Sequence, residues 1–152
     1  VESFSHKIKL AKEAQNTEDF MVVARIESLI LEKGMKDAIY RAQSYIKAGA
    51  DGILIHSKKK QPDEIFEFAN AFNEFKIKRP LFCVPTSYCQ VTEKQLAEKG
   101  FKVVIYANQL IRAAYPAMHL TAKEILINER ALEAEKSLLS INKILNLIPG
   151  TK

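Results

Sequence analysis

The sequence repeats one pattern four times: a short run of apolar, largely β-branched residues, followed by a segment with helical periodicity. The apolar runs are 20–26, 52–55, 81–84 and 102–106, and the helical segments are 35–48, 62–75, 92–99 and 109 to about 119. Strands that alternate with helices at this spacing are typical of βα units with parallel strands. The runs are continuously apolar, as strands buried on both faces usually are. The pattern therefore predicts an α/β fold.

Glycine, proline and helix-capping residues support the boundaries of these helical segments. Gly49 and Gly100 directly follow two of the helical segments, as expected of glycines that end helices. Pro62 lies near the first turn of another, where proline is tolerated. Thr92 and Gln95 have the spacing of a capping box, which predicts that a helix begins there.

The segments before and after the four repeats help to predict the architecture. Residues 2–15 read as an amphipathic helix with no strand of its own before it, and 121–147 as one or two long helices. Four βα units in 152 residues fall short of the roughly 250 residues of a (β/α)8 barrel, so we expect the C-terminal half of one. We assign 1–147 to this half barrel and 148–152, with Pro149 and Gly150, to a linker or tail. A small doubly wound sheet, complete as written, is the alternative.

Charge and composition restrict the partners and the cellular compartment that we expect. The net charge is +5, but many lysines stand beside glutamates, as on solvated helix faces, so we expect no nucleic-acid partner. No apolar run approaches the roughly 18 residues of a membrane helix, so we expect no membrane partner either. The two cysteines have no metal-site or disulfide spacing, and no secretory signal is recognisable, which together indicate a cytoplasmic setting.

Polar residues follow the predicted strands, where α/β enzymes place their active sites. Arg25 interrupts an apolar run and is costly to bury without an anionic partner, which could be Glu27 or a bound phosphate, phosphonate or carboxylate. His56 could be a structural residue or part of the same anion site. The candidates are Arg25, Glu27, His56, Ser57, Lys58, Thr86, Asn108 and Arg112.

Other residues carry weaker signals. Lys58 to Lys60 could simply begin a solvated loop, and Cys83 is expected to be a buried small hydrophobe without thiolate chemistry. No carboxylate cluster suited to Mg2+ follows any strand, so any metal ligands should lie outside this chain.

Several segments resemble the phosphoenolpyruvate mutase family of the isocitrate lyase superfamily. They are 19–27, 48–58, 84–86, 106–108 and 111–113, and the resemblance runs from Glu2 to about Ile127. The specific motifs are Ala24-Arg25-x-Glu27 and His56-Ser57-Lys58. Carbon–carbon lyases of the superfamily tend to carry Ala-Arg-Thr-Asp at the first motif and to lack the second. The resemblance thus favours the phosphonate branch.

The resemblance implies a (β/α)8 barrel whose last helix is exchanged between subunits of a homodimer or homotetramer. It implies an isomerase, a phosphomutase that interconverts phosphoenolpyruvate and phosphonopyruvate with Mg2+ in phosphonate biosynthesis. Arg25 and His56 would be catalytic and hold the phosphoryl group. We expect Ser57, Thr86 and Asn108 to contact substrate as well. Behind them, Glu27, Lys58 and Arg112 would support the site.

In the family, the metal ligands, the backbone amides that bind the pyruvate carboxylate and the gating loop belong to the first half of the barrel. We therefore expect the N-terminal half as a partner and no activity from this chain alone. The tail resembles the linker to a nucleotidyltransferase domain in some bacterial members. Phosphonopyruvate hydrolase, a carbon–carbon lyase of the superfamily and an inactive oligomerisation fragment stay open as alternatives.

Overall fold

A computed structural model describes residues 1–148 and 150 of the chain. It divides into two compact units, 1–107 and 108–152, each described by itself. The first unit contains the predicted alternation of strands and helices, which confirms the α/β class. Its elements are α1 (Glu2–Glu13), β1 (Val23–Ile26), α2 (Gly34–Lys47), β2 (Gly52–Ile55), α3 (Asp63–Asn73), β3 (Leu81–Cys83), α4 (Glu93–Glu98) and β4 (Phe101–Val104).

The four strands form one parallel sheet in the order β1-β2-β3-β4. Every strand pairs with its neighbour in sequence. A doubly wound sheet instead reverses its strand order at a switch point. The described sheet is therefore singly wound, as a segment of a (β/α)8 barrel is, and the doubly wound alternative is wrong.

The sheet has two unlike faces. One face packs on the helices and shares the apolar core with α2 and α3; we call it the helix face. Its buried strand residues are Ala24, Ile26, Ile53, Ile55, Leu81 and Cys83. The opposite side, here called the open face, carries the paired row Arg25, Leu54, Phe82 and Val103. The expected burial of both faces holds for β2 but is wrong for the edge strand β4, where Val103 is exposed.

Local signals match the sequence at several ends. Gly49 follows α2 with φ 109°, a conformation that favours glycine. A Cβ at Gly49 would lie 3.3 Å from Cγ of Lys12, so α1 packs closely there. The capping box of α4 is also confirmed. The backbone N–H of Gln95 donates to Oγ1 of Thr92 at 3.3 Å, and the backbone N–H of Thr92 donates to Oε1 of Gln95 at 2.9 Å.

The second unit differs from the expectation of one or two long helices over 121–147. Helix α5 runs continuously over Gln109–Asn128, and the rest forms a 3-10 helix (Ala134–Ser137) and a short α6 (Ile141–Leu145). The cause is Glu129, whose φ of 52° is left-handed and ends α5. The predicted tail falls on 148–152, of which 149, 151 and 152 lie outside the described residues.

Helix α5 has an unusual surface for a globular chain. Within its own described residues none is buried, and apolar side chains such as Leu110, Tyr115 and Met118 are exposed. Even so, among the described residues no helix combines the length and hydropathy that crossing a membrane requires.

Candidate functional site

Arg25, Glu27 and His56 meet on the open face, where β1 and β2 end. Arg25 Nη2 lies 2.5 Å from His56 Nδ1, and Arg25 Nε donates to Oε1 of Glu27. The same Glu27 oxygen is 3.5 Å from His56 Nδ1. The sheet register explains the contact, because Arg25 pairs with Leu54 and a side chain two residues further along a strand returns to the same face. The structure thus brings Arg25, Glu27 and His56 together, and their role in binding an anion stays a prediction.

The contact fixes the roles of the ring nitrogens of His56. A hydrogen bond between the two requires the tautomer of His56 with its proton on Nε2, because a guanidinium can only donate and Nδ1 must then accept. The Nε2–H group is then a second donor beside the guanidinium. Half of the Arg25 side chain and about a quarter of the His56 side chain are exposed, at 50% and 24%. The pair can therefore present N–H donors to an oxyanion from solvent.

Glu27 and an external anion are compatible partners for Arg25. Glu27 takes the Nε edge of the guanidinium and leaves Nη1 outside that bond. A carboxylate on one edge fixes the plane of the group, and the charge-assisted donors on the other edge are those that favour phosphate. The contact with Glu27 therefore does not exclude a bound anion, and anion binding by Arg25 stays a prediction.

The residues that follow His56 turn elsewhere. Ser57 is fully buried; its hydroxyl donates to Oε1 of Glu64 and accepts from the Lys59 amide at 3.1 Å. Lys58 Nζ lies 2.7 Å from Oε1 of Glu32, and this hydrogen bond and charge lower the pKa of Glu32. A substrate contact by Ser57 stays a prediction, and the structure shows a different set of partners.

Thr86 and the second-unit candidates are placed as follows. Thr86 comes after β3 in a tight turn, with its amide donating to the Val84 carbonyl at 2.8 Å. Asn108 immediately precedes α5, and Arg112 Nη1 lies 3.4 Å from Oδ1 of Asn108. Their roles in substrate contact stay predictions.

Cys83 behaves as expected of a small core residue. It is fully buried on the helix face of β3, and burial raises the pKa of its thiol to about 12. Among the residues that the structure describes, no three His, Cys, Asp or Glu side chains converge where a metal could bind. The described residues therefore do not fit Mg2+.

Sequence reasoning missed three charged residues near the site. Ser28 donates to Oδ2 of Asp37 at 2.7 Å, and Arg41 Nε binds the same oxygen at 2.7 Å. Both hydrogen bonds lower the pKa of Asp37, and the one from Arg41 has the larger effect. Glu64 holds Ser57 in the same manner. The signal that could have found them is strand alternation, which turns the residue after an open-face residue towards the helices.

Comparisons with known proteins indicate the family and the fold of this chain. Residues 1–126 match the family model of phosphoenolpyruvate phosphomutase. The phosphoenolpyruvate phosphomutase of Tetrahymena pyriformis is 37% identical over 97% of this chain and 48% of its own length. The phosphonopyruvate hydrolase of Variovorax sp. (strain Pal2) is 40% identical over 97% of this chain and 50% of its own length.

A crystal structure of a phosphonopyruvate hydrolase in complex with oxalate and Mg2+ superposes with a TM-score of 0.84 and 41% identity. It is covered to 51%, and this chain to 96%. The chain thus spans about half the length of the relatives it matches, in agreement with a half barrel.

Proposed function

Since the chain belongs to the phosphoenolpyruvate phosphomutase family, within the isocitrate lyase superfamily, we propose that it supplies the phosphoryl-binding half of a phosphomutase active site. The reaction would interconvert phosphoenolpyruvate and phosphonopyruvate, as one step of phosphonate biosynthesis in the cytoplasm. The observation that carries the proposal is the contact between Arg25 and His56 at the ends of two adjacent strands.

The proposed roles follow from the donors available. Arg25 and the Nε2–H of His56 would bind oxygens of the phosphoryl group while its bond to the enolate oxygen breaks and a bond to C3 forms. Phosphoryl transfer depends chiefly on positioning and charge stabilisation, which fixed donors provide. Glu27 would orient Arg25. Thr86 and Asn108 would contact other parts of the substrate, with Lys58 and Arg112 in support.

The rest of the active site would come from outside this chain. We place the ligands of Mg2+ and the groups that bind the substrate carboxylate in the N-terminal half. This agrees with the fact that the chain spans about half the length of its relatives. The exposed apolar side chains of α5 support a proposal that this helix is covered in an oligomer, with exchange between two or four copies. Sedimentation analysis that finds only monomers of the whole barrel would contradict that part.

Phosphonopyruvate hydrolase is the second candidate, and one observation favours it. The Variovorax hydrolase is 40% identical to this chain, against 37% for the Tetrahymena phosphomutase. The two reactions share a phosphonyl group that needs the same donors, so Arg25 and His56 suit either one.

The experiment joins this chain to the N-terminal half of the Tetrahymena phosphomutase and follows phosphonopyruvate with Mg2+ by phosphorus NMR. We expect a phosphoenolpyruvate signal to appear. Inorganic phosphate together with pyruvate would instead favour the hydrolase. A second chimera with the hydrolase's N-terminal half shows whether the product follows that half or this chain.

Arg25→Ala tests the anion-binding role in the chimera. We expect kcat/KM to fall by about 10²–10³, the usual effect of removing one donor to a developing oxyanion. Arg130→Ala is the matched control, because Arg130 also pairs with a nearby glutamate, Glu133, but lies in the second unit. Full activity of the Arg25 variant would refute the assignment.

A further inference from the structure

Two buried serines stand out in the part of the chain that the structure describes. Ser28 and Ser57, 2% and 0% exposed, are the only buried serines among the described residues. Each directly follows a residue of the candidate site, since Ser28 comes after Glu27 and Ser57 after His56. Two such serines at equivalent places in neighbouring βα units indicate a shared structural device.

Strand alternation explains where these serines go. Arg25, Glu27 and His56 lie on the open face, so the residue after each strand end turns towards the helix face. There Ser28 meets Asp37 in the first turn of α2, and Ser57 meets Glu64 in the first turn of α3. The two strand ends are thereby tied to the helices that follow them.

Both carboxylates are well placed to hold a buried hydroxyl. Acidic residues in the first turn are stabilised by the helix dipole. Each also binds a cation: Arg41 Nε lies 2.7 Å from Oδ2 of Asp37, and Lys59 Nζ lies 2.8 Å from Oε2 of Glu64. The hydrogen bond to Glu64 raises the pKa of Lys59. Each serine hydroxyl therefore binds a carboxylate that is also paired with a basic side chain.

The serine network reaches the site itself. One surface cavity is lined by Arg25 and Glu27 together with Ser28, Asp37 and Arg41. On the second strand, the Lys59 amide donates to Ser57 at 3.1 Å and closes the turn after His56. A shift of either strand end would move Arg25 or His56 with it, because each is within three residues of its serine.

We propose that Ser28 with Asp37, and Ser57 with Glu64, are two positioning pairs that fix the ends of β1 and β2 and so hold Arg25 and His56 in contact. The serines act through their neighbours and do not touch substrate. Their catalytic importance rests on the proposed function, in which Arg25 and His56 bind the phosphoryl group. The contact itself can be tested without that function.

Histidine NMR provides the test, because the chain has 3 histidines, His6, His56 and His119, and His56→Gln assigns the signal of interest. In the whole chain labelled with 15N-histidine, at a pH where imidazole is neutral, we expect His56 to carry its proton on Nε2. Ser28→Ala and Ser57→Ala should each shift the two His56 nitrogen signals towards the average of exchanging tautomers, with His6 and His119 unchanged.

Two variants serve as controls. Ser44→Ala removes an exposed serine whose hydroxyl bonds the Tyr40 carbonyl within α2, so the His56 signals should not change. Glu64→Gln keeps an oxygen that can accept from Ser57 and should preserve the wild-type signals, whereas Glu64→Ala should lose them. A role in general stability alone would lower the melting temperature without this pattern.

Clear results would overturn the proposal. The proposal is wrong if folded Ser28→Ala and Ser57→Ala chains give the same His56 nitrogen signals as the wild type. It is also wrong if the wild-type His56 signals already show an average of exchanging tautomers. If Ser57→Ala does not fold, Ser57→Cys keeps a side chain of similar size with a weaker donor and is read in the same way. In the active chimera, Ser57→Ala should lower kcat/KM by about tenfold to hundredfold. A chimera without activity but with the expected NMR pattern would refute the proposed function and leave the positioning pairs in place.

Discussion

Replacement of Asp51 by alanine is expected to destabilise the first unit by about 2–4 kcal/mol, because one carboxylate joins three elements. Lys12 Nζ, at the end of α1, lies 2.9 and 2.8 Å from the two Asp51 oxygens. The Val22 amide, just before β1, donates to Oδ2 at 2.8 Å. Asp51 itself immediately precedes β2.

The magnitude follows from these partners. Removing the carboxylate leaves the Val22 amide without that acceptor, which costs about 1–3 kcal/mol. The ion pair with Lys12 adds about 1 kcal/mol, since 29% of the Lys12 and 23% of the Asp51 side chain are exposed and water screens the pair only in part. Asp51→Asn can keep the bond to Val22 and should cost about 1–2 kcal/mol. Lys12→Met, which keeps an apolar stem beside Gly49, should cost about 1 kcal/mol.

The pH dependence has a definite sign. Burial raises the pKa of Asp51, but the hydrogen bonds from Lys12 and Val22 and the charges of Lys12 and Arg79 outweigh it, so the pKa lies below its usual 3.8. The stabilisation is therefore complete above about pH 4 to 5 and is lost as the pH falls through the lowered value. The difference between wild type and Asp51→Asn should shrink over that range.

Urea unfolding followed by circular dichroism measures these free energies at pH 7 and at pH 3. The reasoning is refuted if Asp51→Ala lies within about 0.5 kcal/mol of the wild type, the range of neutral surface substitutions. It is refuted equally if Lys12→Met costs as much as Asp51→Ala, since the amide bond would then contribute nothing.

Three further predictions concern other parts of the first unit. At pH 8, a thiol reagent should modify the exposed Cys89 quickly and Cys83 only on unfolding, because burial raises the pKa of the Cys83 thiol to about 12; equal rates in the native chain would contradict this. Gly52→Ala should lower the melting temperature, because the new Cβ would lie 2.6 Å from the Phe82 ring, and a variant as stable as wild type would refute the contact. Thr92→Ala should cost about 1 kcal/mol in urea unfolding by removing the capping box of α4, and no loss would mean that the cap contributes nothing.

Much of the first unit could be predicted from local patterns. The bounds of β2 agree to the residue, and the other strands and helices agree within about three residues. These elements have strong signals, such as Gly49 after α2 and the capping box at Thr92. The end of α5 could not be predicted, because Glu129 adopts a left-handed conformation without being glycine or asparagine. Residue preference therefore does not predict where α5 ends.

The candidate site was predictable in its chemistry but not in its partners. Arg25 lies near the end of β1, His56 directly follows β2, and both side chains carry donors, so the two could be named as candidates from the sequence. Adjacency in sequence predicts that Ser57 shares the site of His56, whereas the structure turns Ser57 to Glu64. Lys58 likewise pairs with Glu32. Neighbours in sequence share a strand end but not a face, so alternation could have indicated these directions, whereas the partners Glu64 and Glu32 depend on the tertiary structure.

The same alternation couples the register of the sheet to the site. A slip of β1 by one residue would turn Arg25 into the apolar core and bring Ala24 and Ile26 to the open face. Burying an unpaired guanidinium would cost several kcal/mol, and the bond from Ser28 to Asp37 would break in the same step. The serine and the arginine therefore favour one register from opposite faces. Because both requirements must be met at once, the arrangement that stabilises the strand end is also the one that brings Arg25 to His56.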